Sequence, residues 1–309
     1  MLAVLHPIIM TKHTITPVTA LMLICLAAIW GGSFFFAEIA LREVPPLTIT
    51  LHRLLWALPI LALVVRLRRI PLPRSPRIWA AYLVMGGLNN ALPFSLIVWG
   101  QTRIEAGLAS ILVGTTAVFG AVAAGLLLRD EPLTAPKIAG AVLGLIGVAV
   151  VIGPNALHAW DPRDMAQAAI IGAALCYALA GCWARIHLSG QTPQMNALGM
   201  IAGGAVVMAP VVLLVDGVPR TTLAPETWAA LLALAILSTS LAYLLYFAIL
   251  ARAGTANLLL VTLLIPPFAV GLGAVFLGEA LGMSALIGFA VIALGIIVTD
   301  GRALRRLRS

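Results

Sequence analysis

Charged residues are scarce in this sequence. Only 10% of its 309 residues are Asp, Glu, Lys or Arg, whereas 62% are hydrophobic. Soluble domains carry about a quarter charged residues, so this composition excludes an ordinary soluble globular protein. It also excludes a disordered chain, which needs high charge and few apolar residues. The apolar residues form long runs instead of the alternating pattern of a membrane β-barrel, which leaves an all-α membrane protein with several spans.

Cysteine and histidine are also few. Cys25, Cys176 and Cys182 all fall inside apolar runs, and this odd number of buried thiols does not form a disulfide framework. The five histidines lie in tails, in connections or near the end of a run, and the chain contains neither an HExxH nor a GxSxG motif. A membrane-embedded enzyme needs a nucleophile with its base or a metal cluster. The sequence therefore makes an enzyme the minor alternative and predicts no cofactor and no metal.

Ten apolar runs are long enough to cross a bilayer, whose hydrocarbon core of about 30 Å needs about 20 helical residues. The runs are residues 17–39, 47–66, 79–99, 104–128, 136–154, 165–186, 195–215, 228–250, 255–277 and 283–299. The connections are short, which predicts that sequential helices are antiparallel neighbours. The sequence leaves open whether Met1 or Met10 starts the chain, because the residues before Met10 add no structural feature.

Positive charge is distributed unevenly among the connections. If the N-terminus is cytoplasmic, fourteen of the nineteen Lys and Arg residues lie on the cytoplasmic side, four lie outside, and Arg53 lies within a run. Because Lys and Arg mark cytoplasmic loops, this bias predicts that both termini are cytoplasmic. The net charge of +8 is then a signal of topology, and we expect the lipid bilayer, not nucleic acid, as the partner of the chain.

No carboxylate is expected near the middle of the membrane. All eleven Asp and Glu residues lie in connections or near the ends of runs, and these include Glu38, Glu131 and Glu279. A carboxylate within the membrane is the usual relay for a proton or a cation. Its absence favours facilitated diffusion over tight coupling to protons.

The two halves of the chain resemble each other. A shift of 147 residues aligns residues 106–109 (AGLA) with residues 253–256 (AGTA), and one further residue aligns Glu131 with Glu279, each within a Glu-x-Leu that precedes three glycines in register. Each half holds five spans, and because five is odd, two such halves must insert in opposite directions. Inverted repeats are a recurring plan of secondary transporters, whose substrate site lies near the midplane between the halves.

This repeat divides the chain into four parts. We expect a cytoplasmic tail over residues 1–16, a first five-helix repeat over 17–154, a second over 165–299, and a basic cytoplasmic tail over 300–309. Because both repeats belong to one chain, a monomer is sufficient for function.

Several short motifs point to one family. Residues 29–34 (IWGGSF), 45–46 (PP) and 53–57 (RLLWA) follow one another at the start of the first half, and residues 128–133 (LRDEPL) and 277–281 (LGEAL) close the fourth and ninth runs. In their order and spacing, these motifs resemble those of the EamA-type branch of the drug/metabolite transporter superfamily. The resemblance covers residues from about 17 to 300.

The resemblance implies a ten-helix bundle of two EamA repeats. It further implies export of small polar metabolites, often amino acids, across the inner membrane. The chain departs from the family pattern in having Glu38 where a lysine is common and Ala117 where the fourth span usually has a proline, and Met200 stands in the second half where the first has Arg53. Because of the first two departures, the substrate of a single family member is not assigned to this chain. The third departure makes the two halves inequivalent.

Two adjacent amides, Asn89 and Asn90, lie near the middle of the third run. Burying an amide in hydrocarbon costs several kcal/mol unless it is hydrogen-bonded. Neighbouring residues point about 100° apart on a helix, so we expect only one to face a cavity. We favour Asn90, which shares a helix face with Phe94. These side chains either contact the substrate or hydrogen-bond neighbouring helices.

Trp30 lies near the middle of the first run, away from the membrane interfaces where tryptophan is usual. The repeat pairs it with Tyr177 in the sixth run. Both rings could line a cavity and offer an aromatic face to a substrate. The alternative for Trp30 is packing beside the adjacent glycines.

Hydroxyl groups cluster in the eighth run. Ser238, Thr239, Ser240 and Tyr243 form its most polar stretch, and Thr115 lies within the fourth run. We take Ser240, Tyr243 and Thr115 as candidate substrate contacts. The alternative is that the serine and threonine hydroxyls bond back to their own helices and bend them.

Three residues are candidates for gating or for a hinge. Arg53 lies one or two turns inside the outer end of the second run, where it either reaches the interface, forms a latch or contacts an anion. Pro266 and Pro267 remove two backbone donors within the ninth run, which predicts a kink. Such a kink serves as a hinge for alternating access or is a fixed bend.

The favoured function is a secondary carrier that exports small polar metabolites, such as amino acids or related zwitterions, by alternating access. A multidrug or other-metabolite carrier of the same fold is the alternative. A drug carrier for lipophilic cations needs a carboxylate within the first span, and Glu38 lies close to the end of that span.

Overall fold

The computed structural model describes residues 16–128, 133–152, 162–258 and 261–300. This part of the chain contains ten apolar helical segments and no strand. The helices are α1 (Pro17–Ala40), α2 (Pro46–Leu67), α3 (Pro76–Gln101), α4 (Ala106–Leu127), α5 (Ala135–Ile152), α6 (Pro162–His187), α7 (Pro193–Val215), α8 (Pro225–Ala235, Ile236–Leu241 and Ala242–Leu258), α9 (Val261–Leu277) and α10 (Met283–Asp300). The predicted fold class, an all-α membrane protein with ten spans, is confirmed.

Proline begins six of the ten described helices. It has no N–H to satisfy at the first helical position, and its fixed φ suits that position. The helices that start with proline and carry a described N-cap are α1, α2, α3, α7 and α8. In α1 the side chain of Thr16 accepts a hydrogen bond from the amide of Thr19, and in α7 that of Thr192 accepts one from Met195. These caps compensate for amides that have no partner within the helix.

Two boundaries differ from the sequence prediction. The eighth helix continues to Leu258, through the gap predicted between residues 250 and 255. Gly254 does not end it, since a glycine within a helix costs only about 1 kcal/mol relative to alanine. Conversely, the fourth run is not continuous, because its helix is interrupted at Gly114 and Thr115. There the Thr115 hydroxyl donates to the carbonyl oxygen of Leu112 at 2.6 Å, a bond that favours a break in the helix.

The helix packing follows a two-fold relation between the halves. If α1–α5 correspond to α6–α10, then α2 packs on its counterpart α7, and α5 on its counterpart α10. The contact between α1 and α9 corresponds to the contact between α6 and α4. The contact between α3 and α7 corresponds to the contact between α8 and α2. Equivalent helices of the two repeats therefore make equivalent contacts, as expected for two repeats of the same structure.

The repeats run in opposite directions. Gln101 at the end of α3 donates from Nε2 to the carbonyl oxygen of Phe34 in the last turns of α1, at 2.9 Å. Four residues further on, Glu105 accepts a hydrogen bond of 3.0 Å from Arg163 in the first turn of α6. The end of α1 and the start of α6 therefore lie at the same end of the bundle, so the two repeats are inverted.

Glycines also allow a close contact between the repeats where α5 packs on α10. A Cβ atom on Gly295 would lie 2.7 Å from the carbonyl oxygen of Gly140 and 2.8 Å from the amide of Gly144. The GxxxG of α5 therefore forms a backbone-to-backbone contact, as small residues do between membrane helices.

Candidate functional site

Two irregular turns place polar side chains inside the bundle. A π-helical turn interrupts α3 at Gly87–Ala91 and another interrupts α8 at Ile236–Leu241. The first contains Asn89 and Asn90, and the second contains the hydroxyl residues of the eighth helix. Such π turns insert one residue into a helix and redirect the side chains around it, and they are frequent at functional sites.

Tyr243 joins both amides of α3 to α8. Its hydroxyl accepts a hydrogen bond from Nδ2 of Asn89 at 2.9 Å and donates one to Oδ1 of Asn90 at 3.1 Å. The π turn brings both amides to the same hydroxyl, and the expectation that only one of them faces a cavity stays a prediction. Asn90 is completely buried, whereas Asn89 is half-exposed. Asn90 thus orients Tyr243, and Asn89 is the amide that remains accessible.

Met200 on α7 completes this network. Its carbonyl oxygen accepts from Nδ2 of Asn90 at 3.3 Å, and its sulfur lies 3.6 Å from Nδ2 of Asn89. Met200 occupies the position that Arg53 occupies in the first repeat. Sequence reasoning noted this pairing but did not place Met200 or Asn89 in the site, although the 147-residue offset between the halves is the signal that could have done so.

Arg53 points into the bundle and does not reach the interface. Its Nε donates to the hydroxyl of Thr239 at 2.8 Å, and its Nη2 donates to the carbonyl oxygen of Ser238 at 3.1 Å. Its guanidinium carbon lies 3.8 Å from the centroid of the Phe94 ring. In the part of the chain that the structure describes, no carboxylate lies within 4.0 Å of Arg53. The site therefore holds a cation for which the described residues supply no anionic partner.

Tyr177 belongs to the same neighbourhood. It packs against the same hydrophobic cluster as Tyr243, a cluster that includes Phe94 and Met200. Among the described residues its hydroxyl has no hydrogen-bond partner, and neither does Oδ1 of Asn89. Five of the predicted residues thus lie in one neighbourhood, namely Asn90, Phe94, Tyr177, Tyr243 and Arg53, and the structure adds Asn89, Met200 and Thr239 to them.

A row of aromatic rings links Trp30 to the residues around Tyr243. It packs on Tyr246 with ring centroids 5.9 Å apart, and Tyr246 in turn packs on Phe247 at 5.2 Å. Phe247 stacks on Tyr243 at 6.5 Å. Trp30 therefore lies at the far end of an aromatic row along α8, where its role as a substrate contact stays a prediction.

Two predicted hydroxyls bond to backbone. The Ser240 hydroxyl is buried and lies 3.1 Å from the carbonyl oxygen of Ala235 and 3.4 Å from that of Ala57. Thr115 is also buried and donates within its own helix, as described above. The structure therefore does not join these two hydroxyls to the group around Tyr243, and in both the alternative of a bond to backbone is the one observed.

Pro266 and Pro267 lie where α9 crosses α1. Pro266 is buried and Pro267 is exposed, and both lie within the helical segment Val261–Leu272. On α1, a Cβ atom placed on Gly31 would lie 3.0 Å from the carbonyl oxygen of Ile265, which precedes the prolines. The diproline thus lies against a close contact between the repeats, a suitable position for a hinge. The predicted Glu131 lies outside the described residues.

The architecture defines a class of protein. Ten helices in two inverted repeats, with a polar network between the repeats, are characteristic of a membrane transporter. The chain belongs to the EamA-like transporter family, whose model matches it twice, over residues 18–153 and 165–299. The resemblance seen in the sequence motifs is therefore confirmed.

Individual relatives agree with this assignment. An uncharacterized transporter of Archaeoglobus fulgidus is 27% identical over 92% of this chain and 98% of its own length. A probable amino-acid metabolite efflux pump of Salmonella typhimurium is also 27% identical, over 88% of this chain and 91% of its own. A solved crystal structure with 18% identity has a TM-score of 0.67 and covers 94% of this chain and 99% of that one, which shows the same fold. The family and these relatives are transporters and not enzymes.

Proposed function

We propose that this transporter is a secondary carrier that exports small zwitterionic metabolites, amino acids or their relatives, by alternating access between its two repeats. The substrate binds in the space that Arg53, Asn89, Tyr177 and Tyr243 surround. Both repeats contribute to this space, as expected for a carrier whose repeats rock about a fixed site.

The observation that carries this proposal is the unpaired cation inside the bundle. Charged groups within a membrane protein are costly and are normally paired. Arg53 instead uses a hydroxyl, a carbonyl oxygen and an aromatic ring, none of which neutralises it. A guanidinium binds a carboxylate through two parallel hydrogen bonds, so a substrate carboxylate supplies the missing charge.

Two other groups of the site suit an ammonium group. Oδ1 of Asn89 and the hydroxyl of Tyr177 are acceptors for which the described residues supply no donor. An ammonium group has three donors and no acceptor. The aromatic ring of Tyr243 adds a face that attracts a cation. The carboxylate of a small amino acid thus binds Arg53 while its ammonium group binds these acceptors.

The name of the Salmonella typhimurium relative, an amino-acid metabolite efflux pump, points to the same substrate class. The remaining topology is part of the proposal: residues 17–154 and 165–299 form the two repeats, both termini are cytoplasmic, and the membrane is the inner membrane. The concentration of Lys and Arg in the connections at one end of the bundle supports this orientation.

We further propose that Pro266 and Pro267 act as the hinge of α9 and that one chain suffices for transport. Transport is facilitative, since no Asp or Glu lies near the middle of a predicted span.

The test is flux of radiolabelled amino acids in proteoliposomes, with and without an imposed pH gradient. We expect downhill flux that the gradient does not change, and loss of at least about 90% of that flux in Arg53→Gln, because the lost bidentate contact is worth more than a tenfold change. Arg220→Gln removes an exposed arginine outside the site and serves as the control. Flux that requires the gradient would contradict the facilitative mechanism, and no flux of any amino acid would favour a carrier of drugs or of other metabolites.

A further inference from the structure

A cavity lies at the end of the bundle where α1 ends and α4 begins. Its volume is about 380 Å³, and its lining includes Glu38, Arg42, Gln101, Arg103 and Glu279. We call it the outer cavity, because this end faces away from the cytoplasm in the proposed topology. Ligand sites for small molecules start at about 300 Å³, so the outer cavity is large enough for a small metabolite.

Gln101 brings an unsatisfied acceptor to the outer cavity. Its side chain is only 4% exposed, and its Nε2 donates to the carbonyl oxygen of Phe34 at 2.9 Å. Its Oε1 is buried and has no donor among the described residues. A buried acceptor without a donor is destabilising, and a native structure normally supplies a partner. Because Gln101 lines the outer cavity, we take the missing partner to be a hydrogen-bond donor that binds there.

Glu38 brings an unpaired negative charge to the same place. It is half-buried on α1, and one of its carboxylate oxygens lies 3.5 Å from Nε2 of Gln101. In the described part of the chain no cation lies within 4.0 Å of it.

The neighbouring carboxylates are already engaged. Glu279 accepts hydrogen bonds from the backbone amides of Ala106 and Gly107, at 2.8 and 3.1 Å. Glu105 forms an ion pair with Arg163 at 3.0 Å. Glu38 is therefore the carboxylate that is left to bind a ligand.

Positive charge completes the outer cavity. Arg42 and Arg103 are exposed at its rim, and within the described residues neither has a carboxylate within 4.0 Å. The lining of the cavity thus includes a negative group with an adjacent acceptor and two guanidinium groups. This arrangement is complementary to a molecule that carries both an ammonium and a carboxylate.

We infer that the outer cavity is a second binding site for a small zwitterion, separate from the central site. The substrate's ammonium group bridges Glu38 and Oε1 of Gln101, and its carboxylate is held by Arg42 and Arg103. This inference rests on the proposed function for the substrate class alone. A proton on Glu38 would need no cavity, so the volume favours a molecular ligand.

The test uses a cysteine at Thr102, an exposed residue that lines the outer cavity. Thr102→Cys is introduced into the full-length chain after replacement of Cys25, Cys176 and Cys182 by alanine. The rate at which a charged methanethiosulfonate reagent labels the purified protein is measured with L-alanine, propylamine or propionate. We expect saturating L-alanine to slow labelling about tenfold, and propylamine and propionate to need at least about tenfold higher concentrations for the same effect, as expected when a charge-assisted hydrogen bond is lost.

Two substitutions test whether protection by L-alanine depends on Glu38. Glu38→Gln should raise the L-alanine concentration needed for half-protection by about tenfold or more, because the ammonium then loses its charged partner. Glu226→Gln removes an exposed carboxylate elsewhere in the described structure and should leave protection unchanged. Equal protection in Glu38→Gln and in the parent protein, or no protection by L-alanine in the parent, would overturn the inference.

A further variant distinguishes binding in the outer cavity from binding in the central site. Arg53→Gln in the Thr102→Cys background should lose transport but keep protection by L-alanine. If Arg53→Gln loses both transport and protection, the labelling rate reports binding in the central site, and the inference is wrong. If the parent protein transports no amino acid but L-alanine still protects the cysteine, the outer site stands and the proposed transport function fails.

Discussion

The guanidinium carbon of Arg53 lies 3.8 Å from the centroid of the Phe94 ring. Phe94 is only 4% exposed, so this contact lies away from solvent, where a cation over an aromatic ring contributes up to about 2 kcal/mol. The ring holds a cation that has no carboxylate partner among the described residues. We therefore propose that Phe94 acts on the substrate by positioning Arg53.

The first prediction concerns this contact. Phe94→Leu removes the aromatic face, and we expect the KM for amino-acid flux to rise between about twofold and thirtyfold, as the loss of about 0.5–2 kcal/mol implies. Phe35→Leu is the matched control, because Phe35 packs on Phe36 and Phe276 without a cation. An unchanged KM in Phe94→Leu, measured in the same proteoliposomes, would show that the ring does not position Arg53.

The second prediction concerns the hydroxyl that joins α3 to α8. Tyr243→Phe leaves Oδ1 of the buried Asn90 without its donor, and an unsatisfied buried group costs about 1–3 kcal/mol. We expect a lower free energy of unfolding, measured by thermal denaturation in detergent, together with reduced flux. Tyr246→Phe removes a hydroxyl for which the described residues show no hydrogen bond, and it should change stability little. Equal effects of the two substitutions would contradict the assigned network.

Much of the fold could be predicted because it depends on composition and local order. Ten apolar runs, the uneven distribution of positive charge and the 147-residue repeat lead directly to ten helices in inverted repeats. The interruption at Gly114 and Thr115 and the extension of α8 to Leu258 were missed. A glycine or a threonine ends one helix and is tolerated in another according to its packing, which a single sequence does not record.

The candidate site was predictable in residue type but not in its connections. Asn90, Tyr243 and Arg53 stood out because polar groups in an apolar run need partners. The partners themselves are distant in sequence, since Tyr243 lies 153 residues from Asn90 and Thr239 lies 186 residues from Arg53. The π turn at Gly87–Ala91 has no sequence signal that we recognise, and it decides that both amides face the site.

A third prediction follows from the outer end of the bundle. Glu43 accepts hydrogen bonds from the Thr227 hydroxyl at 2.6 Å and from the amide of Ala224 at 3.0 Å. The bond from Thr227, and then that from Ala224, lower the pKa of Glu43 below its ordinary value of 4.5. Because the pKa is lowered in the folded state, the charged carboxylate stabilises the fold above that ordinary value, and the stabilisation is lost as the pH falls through the folded-state pKa.

Glu43→Gln should therefore unfold at a lower temperature than the parent protein at pH 7. The difference between the two should disappear as the pH is lowered below 4.5 towards the folded-state pKa. Glu226→Gln removes an exposed carboxylate in the first turn of α8 for which the described residues show no hydrogen bond, so it controls for the loss of charge alone. A difference that persists at low pH would mean that Glu43 stabilises the fold through packing.

The last prediction compares two adjacent glycines of α3. A Cβ atom on Gly86 would overlap the backbone nitrogen of Gly204 on α7 and would lie 2.6 Å from the carbonyl oxygen of Met200. A Cβ atom on Gly87 would meet nothing within 4 Å. The contact at Gly86 holds α3 of the first repeat against α7 of the second, next to the amides that bond to Tyr243 and Met200.

Gly86→Ala should therefore push α3 away from α7. We expect a loss of about 1–3 kcal/mol in stability, typical of overpacking, and lower flux because Asn90 moves away from Met200. Gly87→Ala adds the same methyl group to open space, and it should be neutral or stabilising by about 0.5–1 kcal/mol, since alanine suits a helix better than glycine. Thermal denaturation of both variants in detergent checks this. If the two lose stability equally, the loss comes from the backbone of the π turn and not from the contact between the repeats.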